Sequence, residues 1–216
     1  MKAILFDLDG TLTDSGEGIR NGAQFVLHYY GLHEPNPERL NRLIGPPLPE
    51  TMRALYGVPE ADDSAIEQKF REYYTEKGIF ENRVYDGVRE ALEELKSDGF
   101  SLFVATSKPQ FMAEKVLEHF SLTPLFLGTV GATRDLSLVH KPDIIRTLLV
   151  KYEIAPENAA MVGDRKYDMI GAFSCGVLPI GAAWGYGSKT ELLRADAAFV
   201  AESPDELPPL FASLVF

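Results

Sequence analysis

Near the amino terminus stands the stretch Ile4-Leu5-Phe6-Asp7-Leu8-Asp9-Gly10-Thr11. Its apolar start is typical of a parallel strand that is covered on both faces. Asp7 and Asp9 follow two residues apart, so both side chains point to the same side as the chain leaves the predicted sheet. Two neighbouring carboxylates repel each other unless a cation or a shared proton compensates their charge. The stretch therefore predicts a metal ion, a perturbed pKa, or both, at the end of the first strand.

Beyond residue 83 the sequence alternates between short apolar runs and amphipathic segments. We predict further strands over residues 102–105, 125–130, 160–162, 177–180 and 197–200. We predict a helix that ends at Gly99, helices over residues 111–120, 142–151, 167–174 and 190–193, and a last helix from about residue 204. This alternation is typical of an α/β fold in which a doubly wound parallel sheet, a Rossmann-like core, carries helices on both faces.

Residues 15–82 show no strand pattern and instead carry apolar residues at helical spacing. The spacing predicts helices over residues 17–30, 37–43, 49–56 and 62–77. We therefore expect two domains. Residues 1–14 and 83–216 form the α/β core, and residues 15–82 form an all-helical domain inserted after the first strand.

Charge and cysteine content narrow the possible classes of function. The 216 residues carry a formal net charge of -11, which argues against binding to nucleic acid polymers or to an anionic membrane surface. The single cysteine, Cys175, excludes an internal disulfide and a thiolate metal cluster, as expected in a reducing compartment. The segment Met1-Lys2-Ala3 leaves no room for a signal peptide before the predicted strand, and no apolar run reaches bilayer-spanning length. A cytoplasmic location is therefore expected.

Polar residues follow the predicted strands at their carboxyl ends, where open parallel sheets bind ligands. They are, in chain order, Asp7, Asp9, Thr106-Ser107-Lys108, Lys141, Gly163-Asp164 and Asp168. Each group alone has an ordinary interpretation as a turn, a helix cap or a solvated surface residue. Their coincidence at predicted strand ends favours one functional site instead.

Other chemical motifs are missing from the sequence. It has no phosphate-binding P-loop, no dinucleotide-binding fingerprint and no nucleophile elbow, and its four histidines lack metal-ligand spacing. The loop Trp184-Gly185-Tyr186-Gly187 follows a predicted strand near the same edge of the sheet. Both an ordinary aromatic loop and a ligand contact remain open interpretations for it.

The polar residues resemble the four motifs of the haloacid dehalogenase superfamily. The motifs correspond to Asp7-Leu8-Asp9-Gly10-Thr11, to Thr106, to Lys141, and to Gly163-Asp164 with Asp168. The resemblance implies a phosphatase whose helical cap, here residues 15–82, is inserted between the first and second motifs. Within the superfamily, the chain is most similar to the phosphoglycolate phosphatase group and its 5'-nucleotidase-like branch. Three phrases carry that finer similarity: Ile44-Gly45-Pro46-Pro47-Leu48, Val104-Ala105-Thr106-Ser107-Lys108-Pro109 and Gly185-Tyr186-Gly187-Ser188.

The resemblance implies a division of labour between the two acids of the first motif. Asp7 is the implied nucleophile, which forms an aspartyl-phosphate. Asp9 is the implied acid that protonates the leaving alcohol and then the base that deprotonates the attacking water. Because an aspartate in this second position accompanies the phosphatases and mutases of the family, the resemblance favours phosphomonoester hydrolysis.

A magnesium ion is implied as the cofactor, since Mg²⁺ suits an all-oxygen site supplied by few carboxylates, waters and substrate phosphate. By resemblance its ligands are Asp7, Asp164 and the carbonyl oxygen of Asp9. Asp168 is expected to support the metal site, either through water or by holding Lys141.

Substrate contacts are implied on both domains. Lys141 is expected to balance negative charge on the nucleophile and phosphoryl group, while Thr106 and its neighbour Ser107 bind phosphoryl oxygens. In the cap, which selects the substrate in this family, Gly45 is a candidate contact. Further candidates in the cap are Arg42, Arg53 and Tyr56. The expected partner is a small phosphomonoester, with phosphoglycolate, a nucleoside 5'-monophosphate and a broader range of substrates all left open, as is the oligomeric state.

Two alternative functions share parts of this pattern. A sugar phosphomutase carries the same four motifs, but the resemblance then leads us to expect an arginine- and serine-bearing loop near Gly45, where this chain has Pro46-Pro47-Leu48. A receiver-like signalling module also uses a strand-end aspartate, a hydroxyl residue, a lysine and Mg²⁺. The long helical insertion and the acid at Asp9 both disfavour it.

Overall fold

The structure, a computed structural model, describes residues 2–44, 48–133 and 137–214. The chain divides into two compact units. One contains Met1–Asp14 and Val84–Phe216, and the other contains Ser15–Arg83. Gly45, Pro46 and Pro47, which include a predicted substrate contact, lie outside the described residues.

The larger unit is built on a six-stranded sheet in which all neighbouring strands run parallel, in the order β5-β4-β1-β6-β7-β8. The described strands are β1 (Ala3–Phe6), β2 (Thr13–Asp14), β3 (Arg83–Val84), β4 (Ser101–Pro109), β5 (Gly128–Ala132), β6 (Ala159–Gly163), β7 (Leu178–Ala182) and β8 (Phe199–Ala201). The short strands β2 and β3 mark the two connections between the units. The predicted Rossmann-like core is confirmed.

The described α-helices lie in both units. They are α1 (Gly16–Tyr29), α2 (Pro37–Asn41), α3 (Leu48–Tyr56), α4 (Asp63–Tyr73), α5 (Val88–Ser97), α6 (Gln110–His119), α7 (Lys141–Lys151), α8 (Lys166–Ser174), α9 (Lys189–Arg194) and α10 (Leu207–Ser213). Among the helices of the described residues, none combines the length with the apolar character that crossing a bilayer demands.

Strand β1 lies at the centre of the sheet because every one of its residues is apolar and buried. Its register pairs Phe6 with Val104 of β4 on one side and with Val162 of β6 on the other. The carboxyl ends of these three strands therefore meet at one edge of the sheet. The residues that follow β1 and β6, and the last residues of β4, are brought together there.

Alternate strand residues and two helices form the core on one face of the sheet. Leu5 and Phe103 pack there with Ile144 and Leu148 of α7 and Ala172 of α8. Their alternation follows from the two-residue period of an extended chain. This packing fixes the first residue of α7 and the first turn of α8 beside the edge at which the three central strands end.

The elements of the smaller unit, in its described residues, are helices joined by loops, and its last residue, Arg83, begins β3. Its apolar core joins Val26 and Leu27 of α1 to Met52 of α3 and Ile66 of α4. The helix predicted over residues 62–77 ends as an α-helix at Tyr73 and continues as a π-helix over Tyr74–Gly78.

Two element boundaries in the larger unit differ from prediction. The strand predicted over residues 125–130 begins at Gly128, because Pro124 directs Thr123–Leu125 into a 3₁₀ turn. Lys141 is the first residue of α7 and is buried, whereas the sequence placed it on a loop before the helix. Proline at the second helical position tolerates this earlier start, since the first turn needs no N–H donor there.

Candidate active site

Asp7 lies directly after β1, with its backbone N–H donating to the carbonyl oxygen of Val162 at 2.9 Å. The N–H of Leu8 donates to Asp7 Oδ1 at 2.8 Å and so fixes the rotation of the carboxylate. The Asp7 side chain is 14% exposed, which leaves it accessible to a small molecule. This central strand end therefore presents an oriented, reachable carboxylate.

Lys141 joins two of the acidic residues. Its Nζ lies 3.0 Å from Asp7 Oδ1 and 2.8 Å from Asp168 Oδ1, and it donates to the carbonyl oxygen of Ala105 at 3.0 Å. Burial alone lowers the pKa of this ammonium, but the carboxylates of Asp168 and Asp7 more than offset it and raise the pKa above its ordinary value. Lys141 is therefore a fixed positive charge beside Asp7.

Asp168 stands in the first turn of α8 and is buried. Its Oδ2 accepts the backbone N–H of Arg165 at 3.1 Å, which caps the helix. Burial raises the pKa of Asp168 to about 6, against the opposing effect of the Lys141 ammonium. The residue therefore helps to hold Lys141 in place beside Asp7.

Asp164 follows β6 and is fully buried. The Thr11 hydroxyl donates to its Oδ1 at 3.2 Å and the N–H of Tyr186 donates to its Oδ2 at 2.8 Å. Burial, followed by the nearby charges of Asp168 and Asp7, raises the pKa of this carboxyl to about 8. The ionised form of this buried acid is unfavourable unless a nearby positive charge compensates it.

The donor set fits a divalent cation. Carboxylate oxygens of Asp7, Asp164 and Asp168 lie within 4.8 Å of one another. When all three carboxyls are ionised, Lys141 compensates one of their charges, and the two negative charges that remain would be balanced by one Mg²⁺ ion. An all-oxygen set with an accessible member is also what Mg²⁺ prefers, since it retains water and binds substrate phosphate.

Asp9 is not one of this group and pairs with Lys108 instead. Lys108 Nζ lies 2.9 Å from Asp9 Oδ1 and 2.8 Å from Oδ2. Lys108 follows the strand predicted over residues 102–105 at the same edge of the sheet, but no role was predicted for it. Sequence periodicity carries no signal for its pairing with Asp9, which depends on the register shift in β4.

Thr106 and Ser107 occupy different environments at the end of β4. Thr106 is buried, and its Oγ1 accepts the N–H of Lys108 at 3.2 Å. Ser107 is exposed and donates to the carbonyl oxygen of Val139 at 3.1 Å. The structure thus places the Thr106 hydroxyl inside the edge where the strands meet and Ser107 at its surface.

The loop after β7 supports the site through its backbone. Trp184 Nε1 donates to the carbonyl oxygen of Thr11 at 3.0 Å, and Tyr186 binds Asp164 through its N–H. A Cβ on Gly185 would lie 2.2 Å from the carbonyl oxygen of Gly10. Gly10 itself has a φ of +87°, a conformation that favours glycine. Two glycines therefore allow this loop to reach the metal-ligand candidates.

Two of the described candidates in the helical unit, Tyr56 and Arg53, have partners within it. The Tyr56 hydroxyl donates to Glu34 Oε2 at 3.3 Å, and the guanidinium of Arg39 lies 5.1 Å from the centre of the Tyr56 ring. Arg53 forms an ion pair with Asp63. Contacts within the unit therefore explain the positions of the Tyr56 and Arg53 side chains.

A family model described as haloacid dehalogenase-like hydrolase matches residues 4–182. The chain belongs to this family. The match covers β1, the helical unit and the strand ends that carry Asp7, Thr106 and Asp164. The resemblance read from the motifs is confirmed.

Several characterised relatives cover most of this haloacid dehalogenase-like hydrolase. A 5'-nucleotidase of Pseudomonas aeruginosa is 43% identical over 189 residues, covering 88% of this chain and 86% of the relative. Tyrosine-protein kinase PtkA of Mycobacterium tuberculosis is 37% identical, covering 94% and 70%. A phosphoglycolate phosphatase of Aquifex aeolicus is 34% identical, covering 86% of each chain.

Solved structures agree with the fold. A crystal structure of a predicted phosphatase from Clostridium acetobutylicum superposes with a TM-score of 0.93 at 40% identity and covers 99% of each chain. With the family membership and the named relatives, it confirms that the chain is an enzyme of the phosphatase class.

Proposed function

We propose that this haloacid dehalogenase-like hydrolase is a Mg²⁺-dependent phosphomonoesterase that cleaves a small phosphorylated metabolite through an aspartyl-phosphate. The observation that carries the proposal is the position of Lys141. Its buried ammonium contacts both Asp7 and Asp168 beside the fully buried Asp164. This arrangement supplies a nucleophile with the positive charge that attack on an anionic phosphoryl group requires.

In the first step, a carboxylate oxygen of Asp7 attacks phosphorus in line with the ester oxygen. The new bond joins Asp7 to phosphorus as the bond from phosphorus to the ester oxygen breaks. Asp9 gives its proton to that oxygen, so the product leaves as a neutral alcohol. The N–H of Leu8, which donates to Asp7 Oδ1, supports this role because it leaves the other carboxylate oxygen to attack.

In the second step, water cleaves the acyl phosphate. Asp9 takes a proton from the water as the water oxygen bonds to phosphorus, and the bond from phosphorus to the Asp7 carboxylate breaks. Inorganic phosphate and the Asp7 carboxylate are released, which returns the enzyme to its first state. Dividing hydrolysis in this way replaces one difficult displacement by two easier ones.

Positive charge and hydrogen-bond donors around Asp7 stabilise both steps. Lys141 offsets charge on Asp7 and on the phosphoryl group, and Asp168 holds Lys141 in place. The Thr106 hydroxyl accepts a backbone N–H, so its own proton is available to a phosphoryl oxygen. Asp7, Asp164 and the carbonyl oxygen of Asp9 would hold a Mg²⁺ ion, which would supply Lewis-acid stabilisation of the phosphoryl oxygens.

We assign a nucleoside 5'-monophosphate or phosphoglycolate as the substrate class, because relatives named for these two activities cover most of the chain. Selection is assigned to the helical unit, to residues 45–48 and to Arg42 in particular. A small diffusible substrate also suits a chain with a formal net charge of -11.

The test is release of inorganic phosphate, with Mg²⁺ and with a chelator, from a panel of phosphomonoesters that includes both candidate substrates. Asp7→Asn is expected to lose at least about 10³-fold in turnover, because an amide is a poor nucleophile. Asp98→Asn, an exposed residue after α5, is the matched control. Unchanged turnover in Asp7→Asn overturns the proposal, as does conversion of a hexose 1-phosphate to its 6-phosphate isomer without phosphate release.

A further inference from the structure

The four motifs give Lys108 no role, yet its side chain enters the site. Its ammonium forms a two-oxygen ion pair with Asp9 at 2.9 and 2.8 Å. The Lys108 side chain is 4% exposed, whereas that of Asp9 is 24% exposed. Burial removes an ammonium from water at considerable cost, so a lysine placed here is retained by well-formed contacts with its acceptors.

The backbone that carries Lys108 departs from regular strand geometry. The pairing of β4 with β5 shifts register between Thr106 and Pro109. Gly131 of β5 lies against this irregularity, since a Cβ there would lie 2.7 Å from the carbonyl oxygen of Lys108. Irregularities of this kind redirect side chains near active sites. The same turn of backbone aims Lys108 at Asp9 and places its N–H against the Thr106 hydroxyl.

We propose that Lys108 is a positioning residue that holds the Asp9 carboxyl out of the metal ligand group and free for proton transfer. This inference rests on the proposed function, in which Asp9 serves as acid and base. Carboxylate oxygens of Asp7, Asp164 and Asp168 already lie within 4.8 Å of one another at the candidate cation site. A fourth, only two residues from Asp7, is attracted to the same cation unless another positive charge retains it. A carboxylate bound directly to a metal ion is no longer available to exchange protons with substrate and water.

The first test compares leaving groups in Lys108→Met, which keeps the length of the side chain and removes the charge. Asp9 assists departure of an alkyl alcohol far more than departure of p-nitrophenol, which leaves readily as an anion. We expect kcat/KM to fall about tenfold to hundredfold for an alkyl phosphate and less than about fivefold for p-nitrophenyl phosphate. Asp9→Asn is the reference, and it should show the same dependence on the leaving group.

The second test needs no turnover. Magnesium binding to the substrate-free protein is measured by calorimetric titration. Releasing Asp9 adds a carboxylate to the metal site, so Lys108→Met should bind Mg²⁺ roughly tenfold more tightly than the wild type. The double variant Lys108→Met/Asp9→Asn should lose that gain and match Asp9→Asn alone. A merely structural role for Lys108 predicts weaker binding instead.

Controls separate folding from function. Lys115→Met, on the exposed side of α6, should match the wild type in both tests. Lys108→Gln provides a second neutral variant if Lys108→Met does not fold, and it should give the same pattern. Lys108→Arg, which can also contact both oxygens, should restore most of the activity towards the alkyl phosphate.

Two results would overturn the inference. One is a rise in KM that is equal for both leaving groups with kcat unchanged, which would make Lys108 a substrate-binding residue. The other is unchanged or weaker Mg²⁺ binding in the neutral variants. Failure of the wild type to release phosphate would instead contradict the proposed function. The Mg²⁺ titration would still test whether Lys108 keeps Asp9 out of the metal ligand group.

Discussion

The Lys141 ammonium lies 3.0 Å from Asp7 and 2.8 Å from Asp168, and its side chain is 4% exposed. A positive charge in this position has two effects, and a substitution of Lys141 alone removes both. It makes the buried acids tolerable in the folded state, and in the proposed function it compensates charge on the phosphoryl group. Both effects belong to one residue, because Lys141 contacts both carboxylates through a single nitrogen atom.

Lys141→Met should therefore lower both stability and activity. Removing one partner of a buried ion pair costs about 3–5 kcal/mol, so we expect a loss of that size in the free energy of unfolding at pH 8, measured in urea. We expect kcat/KM to fall at least about 10²-fold. Lys151→Met, at the exposed end of the same helix, should stay within about 0.5 kcal/mol of the wild type. Equal stability of the two variants would contradict the burial of Lys141 as an ion-pair partner of Asp7 and Asp168.

At the scale of elements, the loop after β7 shows how backbone groups complete the site. Tyr186 reaches Asp164 through its N–H, and Gly185 passes so close to Gly10 that a side chain has no space. The loop thus orients a metal-ligand candidate without contributing a ligand itself. Groups of this kind commonly affect metal affinity by tenfold to hundredfold.

Gly185→Ala should consequently weaken Mg²⁺ binding by at least about tenfold, because its Cβ would displace the loop from Asp164. Gly99→Ala is the matched control, since Gly99 has a φ of +88° and open space around the position of a Cβ. It should cost about 1 kcal/mol of stability through backbone strain and leave Mg²⁺ affinity unchanged. Titration of both variants decides the matter, and equal Mg²⁺ affinities would contradict the role of the loop.

The same elements show which parts of the site the sequence could predict. Asp7, Thr106 and Asp164 follow or end apolar runs, and parallel strands bring such positions to one edge. The Lys108–Asp9 pair depends on a register shift in β4, which periodicity does not reveal. The contact from Tyr186 uses a main-chain N–H that every residue except proline offers, so residue type carries no signal for it.

The starts of two elements were predicted wrongly for a similar reason. The strand at Gly128 starts late because Pro124, one residue before the predicted start of the strand, turns the chain first, whereas apolar content alone favoured an earlier start. Lys141 was predicted on a loop because the helix was expected to begin at Pro142, but the carboxylates of Asp7 and Asp168 hold it inside as the first residue of α7. In both cases tertiary context outweighed local preference.

At the scale of the whole molecule, charge at the site couples folding to pH and to metal. Burial raises the pKa of Asp164 from an ordinary value of 3.8 to about 8. Between these two pH values the folded state holds a proton that the unfolded state has lost, so stability falls as pH rises and levels off above about pH 8. A cation that binds the ionised acid offsets this loss.

We therefore expect Mg²⁺ to raise the melting temperature more at pH 9 than at pH 6. Without metal, stability should fall by roughly 1–3 kcal/mol across that interval, as thermal and urea unfolding with a chelator will measure. Asp164→Asn keeps the shape of the side chain and should remove both the pH dependence and the metal effect. A metal effect that is larger at pH 6 than at pH 9 contradicts this coupling.

The most direct test of the account is to identify the residue that carries the phosphoryl group during turnover. The Asp9→Asn variant, which should form the acyl phosphate and hydrolyse it slowly, is mixed with p-nitrophenyl phosphate and Mg²⁺, quenched in acid and analysed by peptide mass spectrometry. The account predicts one phosphoryl group on Asp7, removable by hydroxylamine. Phosphate release without any labelled peptide, or a label on another residue, would contradict it.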